Sequence, residues 1–150
     1  MKNLDIPTEE EIATWPKSVL VDLEGAFLDD RGTIQPLVDR DDIKSVVLIT
    51  SNPGAVRADH YHKTDWHYCY LYSGQMEYLH RPQGSNDAPE KIIVNAGQMV
   101  FTPPMVEHSM HFLEESMFVT VSRNPRDHET YEADVVRVGS LMKEYAEKHG

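Results

Sequence analysis

Short runs of β-branched and aromatic residues, broken by Gly, Pro, Asn and Asp, fill the chain from about residue 18 to residue 138. Such punctuation is the signature of a protein built from strands. The runs predict strands at 18–23, 33–38, 45–50, 57–62, 67–72, 75–80, 91–94, 99–102, 107–112 and 117–122. The segment Pro82-Gln-Gly-Ser-Asn-Asp-Ala-Pro89 reads as a loop. Thr8-Glu-Glu-Glu11 is a capping box that opens a short N-terminal helix, stopped by Pro16. Gly139-Ser140 introduces a final helix over about 140–149. With no helix between the ten strands, the expected class is antiparallel all-β, a jelly-roll sandwich or barrel over about 18–138 with a short helix at each end. The whole of 1–150 is expected to form one domain.

Alternation sharpens this picture, because residues two apart on a strand share a face. If His67 points inward, so do Cys69 and Leu71, while Trp66, Tyr68, Tyr70 and Tyr72 point out. His108, Met110 and Phe112 share a second face, with His111 opposite. The outward aromatic row is too large to leave in water. A terminal segment, a second subunit or a second sheet of the same chain must cover it, and a homodimer is the favoured expectation.

Composition then limits the partners. Hydrophobic content of 40% and charged content of 26% are those of a globular protein. No apolar run approaches the roughly 20 residues that span a bilayer, and the opening residues lack the apolar core of a signal peptide. The single cysteine, Cys69, rules out an intrachain disulfide and fits a reducing compartment, by default the cytoplasm. A net charge of −11 argues against nucleic acid or an anionic membrane as partner. It leaves room for a small phosphorylated ligand, which needs only a few local arginines among Arg31, Arg57, Arg81, Arg123 and Arg126.

The chemistry concentrates in four histidines. His60 and His62 fall on one face of one strand, His67 follows after a short turn, and His108 lies on a later strand. Neutral imidazole is both the commonest metal ligand and the usual general base near neutral pH. As ligands, His60, His62, His67 and His108 make an all-nitrogen site for Zn, Fe, Ni, Cu or, least well, Mn. The alternative is four ordinary strand histidines hydrogen-bonded to neighbours. Asp59 and Glu107 flank them, as orienting acceptors or as solvent-facing carboxylates.

The same residues resemble the two motifs of the cupin superfamily. Gly54, His60, His62, His67 and Gly74 match the first motif, with His67 where cupins usually carry Glu. Gly97, Pro103 and His108 match the second, with Met105 in place of a glycine and Phe112 in place of the terminal Asn. The resemblance implies a single double-stranded β-helix barrel.

Asp29, Arg31 and Gly32 resemble the Asp-x-Arg-Gly segment of the dTDP-4-dehydrorhamnose 3,5-epimerase family, with Ile34 and Pro36 departing from its Phe and Glu. Gly54-Ala-Val-Arg57-Ala-Asp-His60-Tyr61 resembles that family's Gly-Val-Leu-Arg-Gly-Leu-His-Tyr, and His60-Tyr-His62-Lys63 resembles the related sugar 3,4-ketoisomerases, which carry Gln at the place of His67. The resemblance implies proton abstraction α to the carbonyl of a 4-keto-6-deoxy sugar nucleotide. His60 would be the base, His62 a second proton-transfer group and Tyr131 the acid. Arg31 and Arg57 would grip the diphosphate, and His67 and His108 would contact substrate. These enzymes use no metal, so His67 is the discordant residue. As a ligand it would make His60 and His62 ligands too. Two other functions therefore stay open: a metal-dependent cupin enzyme, such as a dioxygenase or metal-assisted isomerase, and a non-catalytic small-ligand-binding cupin.

Overall fold

The computed structural model describes residues 4–149. Residues 1–3, on which the expectation about a signal peptide partly rests, and residue 150 lie outside the described residues. In chain order the elements are α1 (Glu9–Ile12), β1 (Phe27–Asp29), β2 (Gly32–Ile34), β3 (Ser45–Ser51), β4 (Val56–His62), β5 (His67–Ser73), β6 (Gln75–Pro82) and β7 (Glu90–Asn95). There follow β8 (Met99–Thr102), β9 (Val106–Phe112), β10 (Ser116–Ser122), α2 (His128–Asp134), β11 (Val135–Arg137) and α3 (Leu141–His149). Two antiparallel sheets, ordered β3-β10-β5-β8 and β11-β4-β9-β6-β7, face each other, and β1-β2 form a separate hairpin. The expected all-β jelly roll is what the chain forms. Among the described residues no helix is long and apolar enough to cross a membrane.

The inward faces of the two sheets meet in a core of Cys69, Leu71, Met76, Tyr78, Val94, Val100, Met110, Phe112 and Phe118. Cys69 and Leu71 alternate inward with His67, as the period of two requires. Gly74 is the single residue between β5 and β6. Its φ of +93° is open to glycine, and a Cβ there would lie 2.1 Å from Ser116 Oγ. No larger residue closes this turn.

The outward aromatic row forms a second core. Trp66 and Tyr68 pack with Met99 and Phe101 under Trp15, Val21, Leu23, Leu37, Val38 and Ile43. The chain's own N-terminal segment covers the row, so the row itself gives no argument for a second subunit; only Tyr72 stays largely in water. At the start of that segment Thr8 Oγ1 accepts a hydrogen bond from Glu11 N. The Glu11 carboxylate does not reach back to close the box. It accepts instead from Trp66 Nε1 at 2.7 Å and pairs with Arg123 at 2.7 Å, tying the segment to the sheet.

Three sequence expectations need correction. Residues 18–23 make no ladder; Leu20 forms one isolated bridge to Val100. The segment is held by its side chains in the second core and by two backbone hydrogen bonds, Val21 N to Met99 O and Phe101 N to Val19 O. The strand expected at 33–38 ends at Ile34, because it pairs only with the three residues of β1, which the sequence reading left out. A helix does intervene between strands: α2 begins at Asp127, whose carboxylate accepts from Thr130 N as an N-cap. Its end carries the chain into β11, which pairs with β4.

Candidate functional site

The first two histidines lie on β4, the third opens β5 and the fourth lies on β9. Because β4 and β9 belong to one sheet and β5 to the other, the rings meet between the sheets. Ala58 and Asp59 take left-handed φ angles of 72° and 56°, and the β4–β9 register shifts there. This bulge sets His60 directly opposite His108. The bulge is held from outside: Asp59 O accepts from Val138 N at 2.9 Å and Asp59 Oδ1 from Leu141 N at 3.2 Å. Asp59 thus anchors α3 and does not orient a ring. Glu107 likewise pairs with Arg81 at 2.9 Å and leaves His108 alone.

Ring centroids of His60 lie 4.8 Å from both His62 and His108. His67 is 5.2 Å from His108 and 5.7 Å from His62. Donor atoms of His60, His62 and His108 all fall within 4.8 Å of one another, a trio that His67 does not join. The rings edge a cavity of about 140 Å³, which Arg57, Asp65, Arg126 and Tyr131 also line.

Hydrogen bonds decide which nitrogen faces the cavity. His108 Nδ1 donates to Val106 O at 3.0 Å, so Nε2 carries the lone pair. That Nε2 is buried with no hydrogen-bond partner among the described residues. His62 Nδ1 faces Asp134 Oδ2 at 3.0 Å and donates to it, leaving its own Nε2 basic. Burial, reinforced by the neighbouring imidazoles, lowers His60 to about 2 and His108 to about 3, and holds His67 well below its ordinary value. His60, His67 and His108 are therefore neutral at physiological pH, and their rings face a shared space.

Asp134 is 1% exposed. It accepts from His62, from Thr64 N at 2.7 Å, from Thr64 Oγ1 at 2.6 Å and from Asp65 N at 3.3 Å. Burial raises its pKa, but these donors outweigh burial and hold it below the ordinary value. Asp65 accepts only from Asn124 N, at 2.8 Å. Burial pushes it up to about 6 against that single bond.

Tyr131, on α2, stands 5.7 Å from the His62 ring and 6.4 Å from the His60 ring, with the Arg126 guanidinium 4.7 Å over its face. Arg57 lines the same cavity, its Nε donating to Ser51 Oγ and its Nη2 to Thr50 O, both at 2.8 Å.

Of the residues expected in the site, His60, His62, His67, His108, Arg57 and Tyr131 are brought together. Arg31 is not. It sits on the β1–β2 hairpin with its side chain 83% exposed, paired with Asp29, beside a shallow hollow that shares no residue with the histidine cavity. The motif that suggested it is a tight Asp–Arg turn, and the hairpin stands apart from both sheets. Arg81 and Arg123 are taken up by Glu107, Glu144 and Glu11. Asp134 and Asp65 escaped the sequence reading, since no local spacing links Asp134 to a histidine 72 residues away.

No protein-family model matches the chain, and no curated protein matches it in sequence. Solved structures do match in shape. The sugar 3,4-ketoisomerase QdtA from Thermoanaerobacterium thermosaccharolyticum, in complex with TDP, superposes with a TM-score of 0.65 at 21% identity, over 85% of this chain and 91% of that one. A 3,4-ketoisomerase from Helicobacter canadensis gives 0.63 at 18% identity, covering 84% and 93%. The dTDP-4-dehydrorhamnose 3,5-epimerase from Sulfolobus tokodaii gives 0.60 at 17% identity, covering 75% and 79%. The fold is the cupin barrel. At these identities the likeness carries the architecture, and the chemistry rests on the cavity itself.

Proposed function

We propose that this cupin modifies a sugar nucleotide, moving a proton α to the carbonyl of a 4-keto-6-deoxy sugar as an epimerase or ketoisomerase. The observation that carries the reading is the His62–Asp134 couple facing Tyr131 across the cavity. Enolisation needs a neutral base on one side and a donor to the carbonyl oxygen on the other. Asp134 holds the Nδ1–H of His62, so Nε2 takes the substrate proton and the buried carboxylate stabilises the imidazolium that forms. The Tyr131 phenol donates to the carbonyl oxygen as negative charge develops there. For ketoisomerisation His62 returns the proton to the former carbonyl carbon, while the neighbouring hydroxyl gives up its own proton through Tyr131. Epimerisation instead needs a proton delivered to the same carbon from the opposite face, the Tyr131 side, with solvent restoring both side chains. His60 has no carboxylate partner of this kind among the described residues, so the base role is given to His62. Arg57 and Arg126 receive the diphosphate. QdtA has also been solved with TDP-4-keto-6-deoxyglucose, which supports this substrate class.

The test is dTDP-4-keto-6-deoxyglucose in D₂O, followed by proton NMR. Loss of the signal from the carbon beside the carbonyl, abolished by His62→Asn, is expected. Binding without exchange would make the protein a ligand-binding cupin.

A metal-dependent reading has its own support in the inward lone pairs of His60, His62 and His108. Three neutral imidazoles suit a divalent Zn, Fe, Ni or Cu ion. Bound there, it would polarise a carbonyl as a Lewis acid. Elemental analysis of untagged protein separates the two readings. Near-stoichiometric metal lost in His108→Gln but kept in His67→Gln is the outcome that favours the ion.

We also propose a homodimer in the cytoplasm. Val46 and Leu48 on the edge strand β3, and Phe27, Leu28 and Ile34 on the hairpin, are exposed apolar side chains of the kind that subunit contacts cover. The lone Cys69, buried and unpaired, suits a reducing compartment.

A further inference from the structure

The fold treats the two carboxylates beside His62 differently. Asp134 accepts four hydrogen bonds and has nothing left to offer a ligand. Asp65 is 8% exposed, lines the cavity and accepts one bond, from Asn124 N to Oδ1. Its Oδ2 receives no hydrogen bond among the described residues. A carboxylate offers about four acceptor sites, and this oxygen is not among the fully enclosed side-chain atoms without a partner, so it is open to the cavity and can accept from a bound molecule. A ring hydroxyl is a donor that suits it.

The charged groups that line the cavity differ in exposure. Arg57 and Arg126 are exposed, while Asp65 is buried. A phosphate is drawn to the first and repelled by the second, whereas a polyol is drawn to the second. Carboxylate oxygens of Asp65 and Asp134 and a ring nitrogen of His62 lie within 4.8 Å of one another. Asp65 thus lies beside the His62–Asp134 couple on the wall of the cavity, within reach of a sugar ring presented to His62.

We propose that Asp65 is a substrate-binding residue whose Oδ2 accepts a hydrogen bond from a ring hydroxyl of the sugar, setting which carbon meets His62. The proposal rests on the sugar-nucleotide reading above.

Asp65→Asn keeps an oxygen for Asn124 N, and calorimetric titration with two probes reads its effect. Binding of dTDP, which lacks the sugar, is expected to stay unchanged. Binding of dTDP-4-keto-6-deoxyglucose is expected to weaken by about ten- to hundredfold, as loss of a charged hydrogen bond predicts. Equal weakening of both ligands would make Asp65 part of the scaffold only, and no weakening of either would leave it without a ligand; each overturns the proposal. Should Asp65→Asn fold poorly, Asp65→Ser also leaves an acceptor for Asn124 and is read in the same way. A wild-type protein that binds neither probe overturns the sugar-nucleotide reading, and the proposal with it, before any variant is made.

Discussion

The histidine cavity and the β1–β2 hairpin are mismatched with their surroundings in opposite directions. In the cavity, polar groups have few protein partners: the buried His108 Nε2 has none among the described residues, and Asp65 accepts one hydrogen bond. On the hairpin, apolar groups stand in water: Phe27, Leu28 and Ile34 are 59%, 72% and 66% exposed. Both arrangements cost free energy in the isolated chain. A polar or charged guest would relieve the first, and an apolar cover the second. Trp66 shows such a conflict resolved internally, its Nε1 donating to Glu11 and its ring buried under the N-terminal segment. On the readings proposed above, a sugar nucleotide would answer the first and a second subunit the second.

The largest expected effect is on the cavity. His62→Asn should lower turnover of dTDP-4-keto-6-deoxyglucose by about 10²–10⁴-fold, the range for a general base. Asp134→Asn should lose part of that rate with little change in dTDP binding. Equal rates in wild type and His62→Asn, measured under single turnover, would remove the cavity from the comparison.

Next comes acid sensitivity. His60, His67 and His108 are held neutral in the fold, below their ordinary value. The unfolded chain therefore binds more protons than the native one, and stability must fall as the pH drops below about 6.5. Asp134, held low, adds to the loss only at more acid pH. Asp65, raised to about 6, works the other way and gains as the pH falls. Three histidines outweigh one carboxylate, so urea midpoints measured in chelator should drop between pH 7.5 and 5.5. His108→Gln should flatten that drop, and a flat wild-type profile would contradict the buried, neutral cluster.

On the apolar side, Leu48→Glu should halve the mass seen by light scattering while leaving the circular dichroism unchanged. A wild-type monomer would show that the hairpin and β3 are not mutual cover. The smallest effect concerns the backbone. The hairpin turn places glycine at its positive φ, whereas the bulge beside His60 uses Ala58. Ala58→Gly should raise stability by about 0.5–1 kcal/mol through relief of that conformation. Thermal melts would detect it, and a destabilised variant would mean that the lost Cβ packing counts for more.

The sequence by itself determined the parts governed by near neighbours. Alternation placed His67, Cys69 and Leu71 on the inner face of β5, and the Thr8 cap and the final helix appear where their local signals stand. Spacing also placed His60 and His62 on one face of β4, because a period of two is local to the strand, whereas His108 joins them through the β4–β9 pairing and its bulge. Tertiary structure decided the rest. It chose the N-terminal segment as cover for the aromatic row, stranded Arg31 on an isolated hairpin and excluded His67 from the converging trio. It also paired His62 with Asp134 across 72 residues, by docking α2 and β11 along β4. Faces and caps follow from bonds to residues a few positions away. A partner across the barrel depends on how whole elements dock, and no local pattern in a single sequence encodes that.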